Sequence, residues 1–403
     1  MKVAIIHYAE PVSRDDGFVT TRYSSVAKCL LENNFKVTRY FPLFDHRSRK
    51  FRKFGNYNDK QFGNHIKITT PGYLHSRSIK RLLFLKDFKK NLMTELSKSK
   101  YDLYLVGCPM PGIASAIRKE FSHAKILIDL RDFWPDTQIS STTGIKKNIF
   151  KLLGFFFRKS TLNDLKSSDH IVTLSESYAK KIKKLCSLTF LPTVIPIGSV
   201  VDHKDNQLLS INDLKKKKGV IFVGSLSNLF DFKKLMQIWK IFENKYPSLA
   251  KNNKLTIVGH GIKINWLLAK TKELKFVNIT GFISQKEVYR AISRSKVAII
   301  LYKKMSFHTL PNKLFEFAKS GLPIISNWSG DAINKTKDYR FTFNSDNSSN
   351  EEIIFNLVSL LTDEKKMKLA TKGALKFSKD FSMTNSSIKF NEVIRSLVSK
   401  NTN

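Results

Sequence analysis

The stretch LPNKLFEFAKSGLPIIS, residues Leu310–Ser326, carries one acidic side chain on an otherwise apolar helix. Helical spacing places Leu314 and Phe317 on one buried face, and Gly321 ends the helix ahead of a short apolar strand. A helix that only fills a core has little use for the carboxylate of Glu316. A pocket that holds a polar ligand has a use for it.

Three polar residues lie near the N-terminal end of this helix, namely Asn312, Lys313 and Glu316. The ammonium of Lys313 suits a phosphate, and the carboxylate of Glu316 can accept two hydrogen bonds from a vicinal diol such as a ribose. The alternative is a lysine and a glutamate paired at i, i+3 on a solvated surface. The apolar residues on either side favour the binding site.

Short apolar strands alternate with helical periods along the whole chain, which predicts βαβ units and a parallel sheet. The pattern stops at LPTVIPIGSVVDHKDNQ and the charge run that follows it, and then starts again with VIFVGS. With 403 residues, we expect two doubly wound domains, residues 1–200 and 201–384. Ligands of such sheets bind beyond the carboxyl ends of the strands, so a cleft between the two domains is the expected site.

Glycine turns follow two predicted strands of the second half. Gly224 ends VIFVG and precedes a helix that Asp231 would cap, while Gly259 ends TIVG. Free backbone N–H groups at a strand-to-helix turn suit a diphosphate. An ordinary βα turn explains the same letters, so this motif leaves both interpretations open.

Charged residues follow a buried strand of the first half in DLRDFWPDT. Asp129, Arg131, Asp132 and Asp136 would cluster at the strand end, where carboxylates bind sugar hydroxyls or take the proton of an acceptor hydroxyl. The alternative is an Arg–Asp pair that fixes the loop, with Trp134 in the core. No D-x-D triplet occurs here, which argues against a metal site.

The composition is that of a folded, strongly basic protein. The formal charge is +37, from 70 basic and 33 acidic residues, which favours anionic partners. The basic residues are spread along the chain rather than interleaved with aromatic residues in one module, so nucleic acid is a poor fit. Three separated cysteines predict no disulfide framework, and no apolar run is long enough to span a membrane.

Two stretches mix basic and apolar residues in the manner of helices that lie on anionic membranes, namely Ile145–Ser160 and Arg77–Leu92. The alternative is a helix that packs on the core and exposes a solvated basic face. Exposure of residues 155–157, which are three consecutive phenylalanines, separates the two interpretations.

Several motifs in order resemble the family 4 glycosyltransferases of the GT-B fold, which has two Rossmann-like domains facing a cleft. The family's helix P-N-K-L-F-E-Y-x-A-x-G-x-P-I-I is similar to residues 311–325, and ILIDLRDFWPDT is similar to a signature of a bacterial surface-polysaccharide subgroup. The end KDFSMTNSSIKFNEVI is similar to the family's last helix. The resemblance implies that this helix, residues 385–403, crosses back to the N-terminal domain.

By the resemblance, Glu316 binds the nucleotide ribose, Lys313 and the region of Ser225 bind the diphosphate, and the backbone of Phe282 and Ile283 binds the base. The family needs no metal ion, and the nucleotide-sugar is a substrate rather than a cofactor. The N-terminal domain binds the acceptor, so Arg131 and Asp132 become the candidate catalytic residues.

The chain departs from the family pattern in the places closest to the chemistry. His308 stands where the family has the first glutamate of an E-x7-E pair, and Ser225 replaces a common basic residue. Cys108 and Pro109 occupy a loop that often carries a histidine. These differences leave the fold expectation intact and weaken the assignment of catalytic residues.

We therefore expect a retaining, metal-independent, hexosyltransferase-type enzyme that uses a nucleotide-sugar donor in bacterial capsule or related polysaccharide synthesis. The acceptor would be a saccharide, for instance a lipid-linked glycan at the cytoplasmic face of the plasma membrane, where the protein is peripheral. Two alternatives remain, a GT-B nucleotide-sugar epimerase and a transferase-like scaffold that has lost catalysis.

Overall fold

The computed structural model describes residues 1–75, 78–132, 145–200, 214, 216–303, 310–344 and 349–399, with the backbone alone at residue 79 and residues 145–153. The chain divides into two compact units. The first unit contains Met1–Ile197 and Met383–Asn403, and the second contains Gly198–Ser382. The chain thus returns to its first unit with its last helix.

Strands and helices alternate along most of both units, as the sequence predicts, except that β2–β6 follow one another without a helix and the chain ends in three successive helices. The strands are β1 (Lys2–Ile6), β2 (Lys36–Pro42), β3 (Phe44–Asp45), β4 (Lys50–Phe51), β5 (Tyr57–Asp59), β6 (Gly63–Ile68), β7 (Leu103–Cys108), β8 (Lys125–Leu130), β9 (His170–Thr173), β10 (Thr193–Val194), β11 (Val220–Val223), β12 (Leu255–Val258), β13 (Val277–Gly281), β14 (Val297–Ile300), β15 (Ile324–Ser326) and β16 (Thr342–Asn344). The helices are α1 (Arg22–Glu32), α2 (Ile79–Leu96), α3 (Ile113–Glu120), α4 (Ile145–Ser167), α5 (Glu176–Cys186), α6 (Phe232–Lys245), α7 (Pro247–Asn252), α8 (Ile264–Thr271), α9 (Gln285–Arg294), α10 (Asn312–Lys319), α11 (Asp331–Thr336), α12 (Asn350–Thr362), α13 (Glu364–Asp380) and α14 (Met383–Ser399).

The sheet of the first unit has the strand order β10-β9-β8-β7-β1-β2-β6-β5. Its pairs are parallel except at one edge, where β5 runs antiparallel to β6. The sequence did not predict β5 and β6, because GNHIKI lacks the continuous apolar run of the central strands. The order reverses between β7 and β1, which makes their carboxyl ends the expected place for a ligand.

Both faces of this sheet are covered, as a parallel sheet requires. Successive residues of β1 enter two different cores: Ala4 and Ile6 face one, Val3 and Ile5 the other. The second core also takes Phe390 and other residues of α14, which packs against α1. The last helix is therefore part of the first unit's core rather than an appendage.

The sheet of the second unit is parallel throughout, with the order β13-β12-β11-β14-β15-β16. Its switch point lies between β11 and β14, so the residues after these two strands are the expected ligand contacts. None of the helices in the described part of the chain combines the length and the apolar character that crossing a membrane requires.

Candidate functional site

The predicted glycine turns of the second unit meet at the carboxyl edge of its sheet. Gly259 has φ +145°, and a β-carbon there would lie 1.9 Å from the carbonyl oxygen of Gly224. The amide of Gly259 donates to the carbonyl of Gly281 (3.1 Å), which ends β13. Three strand-end turns thus lie against one another, and only glycine fits at position 259.

The residues beside these turns are open to solvent. Phe282 is 85% exposed, Ser225 is exposed and Ile283 is half-buried. The amides of Leu226 and Ser227 already donate to carbonyl groups of the protein, at 3.0 and 2.8 Å. Fewer amides are therefore available to an anion here than the sequence pattern suggested.

The helix after the first turn starts where the sequence predicted. The Oδ1 atom of Asp231 accepts from the amide of Lys234 at 3.0 Å, so Asp231 is the N-cap of α6. The helix begins only at Phe232, several residues beyond Gly224. Its N-terminal amides therefore do not directly follow the strand-end glycine.

Glu316 lies on α10, one turn from Lys313. The Nζ atom of Lys313 is 2.5 Å from Oε2 of Glu316, and the two side chains are 23% and 31% exposed. Asn312 at the start of the helix is exposed, whereas Leu314 and Phe317 are fully buried, as predicted. An i, i+3 pair at this exposure contributes only about 0.5 kcal/mol, so a ligand can displace it.

Two aromatic rings join the end of β14 to the first glycine turn. Burial, and secondly the charge of Glu316, raise the pKa of Tyr302, which follows β14. The ring of Tyr302 lies 4.9 Å from that of Phe230, measured between centroids. A β-carbon on Gly224 would be 3.3 Å from the same Phe230 ring. The ends of β11 and β14 therefore lie side by side at the switch point, and the helix that carries Glu316 is the next described helix after β14.

The first unit has a pocket of about 390 Å³ at the carboxyl ends of β1 and β7. Its lining includes two predicted residues, Arg131 and Asp132, which follow β8. Tyr8, His46 and Arg81 also line it. No sequence motif joins these three, because they come from the segment after β1, a loop and α2.

Arg131 is held in this pocket by an acidic residue, Glu10, that no sequence motif marks. Its NH1 atom lies 2.6 Å from Oε1 of Glu10, and the other carboxylate oxygen of Glu10 accepts from the amide of Tyr23 at 3.1 Å. Asp132 is exposed. Of the two acidic residues that line the pocket, Glu10 is therefore already hydrogen-bonded within the protein, whereas Asp132 is accessible to a ligand.

Asp129 does not join this group. It is fully buried and forms a two-bond pair with Arg22, whose Nε and NH2 atoms lie 2.9 and 3.0 Å from its two oxygens. Asp129 therefore pairs with an arginine from outside the motif, and Arg131 pairs with Glu10 rather than with Asp129. Asp136 and Trp134 lie outside the described residues.

His308, where the chain departs from the resembling family, also lies outside the described residues. At the departure formed by Cys108 and Pro109, the cysteine is buried, and burial raises the pKa of its thiol. Within the described ranges, no three histidine, cysteine or acidic side chains come together in the manner of a metal site.

The glycosyl transferases group 1 family model matches residues 217–363, which cover most of the second unit. No curated protein matches the chain in sequence.

Solved structures match nearly the whole chain at low sequence identity. WaaG, a glycosyltransferase involved in lipopolysaccharide biosynthesis, is 13% identical with a TM-score of 0.67, over 97% of this chain and 99% of its own. Sucrose-phosphate synthase from Thermosynechococcus elongatus is 12% identical with a TM-score of 0.72, over 99% of both chains. HepE from Anabaena, solved in complex with UDP-glucose, is 12% identical with a TM-score of 0.62, over 98% of this chain and 100% of its own. The described chain therefore has the GT-B fold.

Proposed function

We propose that this GT-B glycosyltransferase, whose group 1 domain spans residues 217–363, moves a hexose from a nucleotide-sugar to a saccharide acceptor in bacterial surface-polysaccharide synthesis. The observation that carries the proposal is the contact between the turns at Gly224 and Gly259, beside the switch point after which the helix with Glu316 follows. The likeness to WaaG, which acts in lipopolysaccharide biosynthesis, supports the pathway. The likeness to HepE, solved with UDP-glucose, supports the donor class.

In this proposal the donor opens the ion pair of α10. Glu316 accepts hydrogen bonds from the ribose hydroxyls, and Lys313 turns to the diphosphate. Asn312 lies at the exposed start of the helix, the turns at Gly224, Ser225 and Gly259 border the diphosphate, and Phe282 and Ile283 border the base. Stabilisation of the leaving diphosphate by Lys313 and backbone amides supplies most of the catalysis.

The acceptor binds in the pocket of the first unit. Asp132 contacts the attacking hydroxyl, and Arg131, fixed by Glu10, orients the acceptor beside it. The resemblance to the retaining family supports retention at the anomeric carbon without a metal ion. No covalent nucleophile is needed, because a good leaving group and a positioned hydroxyl suffice.

We further propose that α4 rests on an anionic membrane surface and brings the enzyme to a lipid-linked acceptor at the cytoplasmic face. Phe155 is 64% and Phe156 is 65% exposed, and Phe157 is half-buried. Arg158 and Lys159, which follow, are exposed. Exposed aromatic rings beside basic side chains suit the boundary between lipid headgroups and acyl chains.

The test is a panel of nucleotide-sugars, each incubated with the purified full-length chain with and without a bacterial membrane extract. We expect one donor to release its nucleoside diphosphate, with the sugar found on an extract component and the anomeric configuration kept. An isomerised free sugar in the reactions without extract would indicate an epimerase instead. Absence of nucleoside diphosphate across the panel would contradict the proposal.

A further inference from the structure

The pocket of the first unit is lined by several side chains that can donate hydrogen bonds to a ligand. Its volume of about 390 Å³ leaves room for a sugar unit, and its wall includes Tyr8, His46, Arg81 and Arg131. Arginine side chains only donate, whereas histidine and tyrosine can donate or accept. The hydrogen bonds that His46 and Tyr8 already make within the protein therefore determine whether each of them donates to a ligand or accepts from it.

His46 lines the pocket, and its hydrogen bonds fix which ring nitrogen carries the proton. Burial, and then the charges of Arg49 and Arg81, lower its pKa to about 4, so the ring is neutral near pH 7. Its Nδ1 atom contacts Tyr73 Oη and lies 3.4 Å from NH1 of Arg49. Since arginine cannot accept, Nδ1 accepts and the proton resides on Nε2. The half-buried imidazole thus offers an N–H.

His7, beneath the pocket floor, is fixed in the same way. It is 2% exposed, and burial, followed by the charge of Arg39, lowers its pKa well below the usual value. Its Nε2 atom lies 3.1 Å from NH2 of Arg39 and must accept, so Nδ1 carries the proton. Among the described residues, that Nδ1 has no hydrogen-bond partner, and neither has the buried hydroxyl of Tyr23, whose ring stacks on His7.

A buried cation, Arg39, lies next to His7, which lines the pocket. Arg39 is fully buried, and among the described residues its hydrogen-bond partners are the neutral rings of His7 and His65 rather than a carboxylate. Burial lowers its pKa to about 10, which still leaves it charged near pH 7. An anion in the pocket would compensate this charge.

The acids of the pocket are arranged to permit such an anion. Glu10 is occupied by Arg131 and by the amide of Tyr23. Asp132 is exposed and remains able to accept from a hydroxyl group. Arg81 donates to the hydroxyl oxygen of Tyr8 at 2.9 Å, so the hydrogen of Tyr8 is left for a ligand.

We propose that this pocket selects an acceptor sugar that carries an oxyanion, a carboxylate or a phosphate, bound by Arg81, His46 Nε2 and the Tyr8 hydroxyl while Asp132 receives a neighbouring hydroxyl. The inference rests on the proposed function, which makes the pocket the acceptor site. Charge-assisted bonds from an arginine are about twice as strong as neutral ones, and this gives an anionic sugar the advantage over its neutral counterpart.

The test measures binding of small probes to the full chain without any nucleotide-sugar, by titration followed with NMR. D-Glucuronate, D-glucose 6-phosphate and D-glucose are compared at matched ionic strength. We expect at least one anionic probe to bind about tenfold more tightly than glucose. A preference for glucuronate alone identifies a carboxylate, and one for the phosphate ester alone identifies a phosphate.

Variants separate the pocket from the general basic charge of the chain. Arg81→Gln and His46→Phe should each remove most of the preference for the anionic probe. Arg47→Gln should keep it, because Arg47 is exposed in the loop that carries His46 and does not line the pocket. Equal binding of all three probes, no binding of any, or equal losses in the Arg47 control would overturn the inference. His46→Phe keeps an aromatic ring in place, so it serves if Arg81→Gln does not fold. This assay contains no nucleotide-sugar and measures no turnover. A negative result would therefore overturn the inference about the acceptor, whereas the transferase activity is tested separately by the donor panel.

Discussion

The ammonium of Lys313 lies 2.5 Å from a carboxylate oxygen of Glu316, one helical turn away on α10. Both side chains are partly exposed, although the helix buries Leu314 and Phe317 completely. The pair therefore occupies the border between core and solvent, at the sheet edge that also holds the glycine turns. A weak pair at such a border leaves both groups available to a ligand.

Replacement of Glu316 by glutamine should weaken donor binding with little effect on folding. The variant loses the charge that accepts from ribose hydroxyls, so we expect the Kd of the nucleotide-sugar to rise about tenfold to a hundredfold. The free energy of unfolding should change by less than about 0.5 kcal/mol. Isothermal titration and thermal denaturation give the two values.

Glu273→Gln is the matched control. Glu273 also pairs with a lysine, at 3.3 Å from Lys240, and both side chains are well exposed. The control should keep wild-type donor affinity. Equal affinities for the Glu316 variant and the wild type would remove the role of Glu316 in ribose binding.

Gly259→Ala should destabilise the second unit strongly. Its β-carbon would overlap the carbonyl of Gly224 at 1.9 Å, and φ +145° suits no other residue. Neither backbone segment can yield easily, so we expect a loss of about 3 kcal/mol or more. Gly281→Ala has φ +70° and open space around it, so only about 1 kcal/mol is expected. Similar losses in both variants, measured by denaturant unfolding, would show that the close approach to Gly224 is not the cause.

Acidification should destabilise the first unit through His65. Burial, and then the charge of Arg39, lower its pKa to about 4, below the value of about 6.5 in an unfolded chain. Between pH 6.5 and 4 the unfolded chain therefore binds more protons, and stability falls as the pH falls. The loss from this group is on the order of 3 kcal/mol at pH 4.

His65→Gln tests this dependence, because glutamine can accept from Arg39 and donate to the carbonyl of Gly63 as His65 does. The variant should lose less stability between pH 6.5 and 4 than the wild type. His123→Gln, at an exposed turn residue, should follow the wild-type curve. Parallel curves for the His65 variant and the wild type would contradict the assignment.

The sequence predicted the fold well because buried parallel strands and their glycine turns are local patterns. Periodicity alone predicted the strands near residues 2–8, 102–107 and 125–131. It also predicted the burial of Leu314 and Phe317. The strand Gly63–Ile68 was missed, since its buried residues include His65 and its pattern is not apolar. The central strands of a parallel sheet read as continuous apolar runs, whereas β6, next to the edge strand β5, does not.

The pocket of the first unit was only partly predictable. Arg131 and Asp132 stand in a short motif, but Glu10 lies 121 residues from Arg131, and Arg22 lies 107 residues from Asp129. Pairings at such distances follow from the strand order rather than from spacing. The histidines His7 and His46 carried no signal, because a lone histidine beside apolar residues usually belongs to the core.

The last prediction concerns the exposed aromatic residues of α4. Replacement of both Phe155 and Phe156 by serine should weaken association with vesicles that contain anionic lipid. Each ring is about two-thirds exposed, so its burial among lipid chains is worth about 1.5–3 kcal/mol, roughly tenfold or more in partitioning. Co-sedimentation with vesicles measures the loss, and added salt should weaken the remaining binding by screening the basic residues.

Phe355→Ser removes a ring that is 69% exposed in the second unit and should have no effect. Equal binding of the double variant and the wild type would mean that charge alone holds the protein to the vesicle, and the proposed docking through α4 would be wrong.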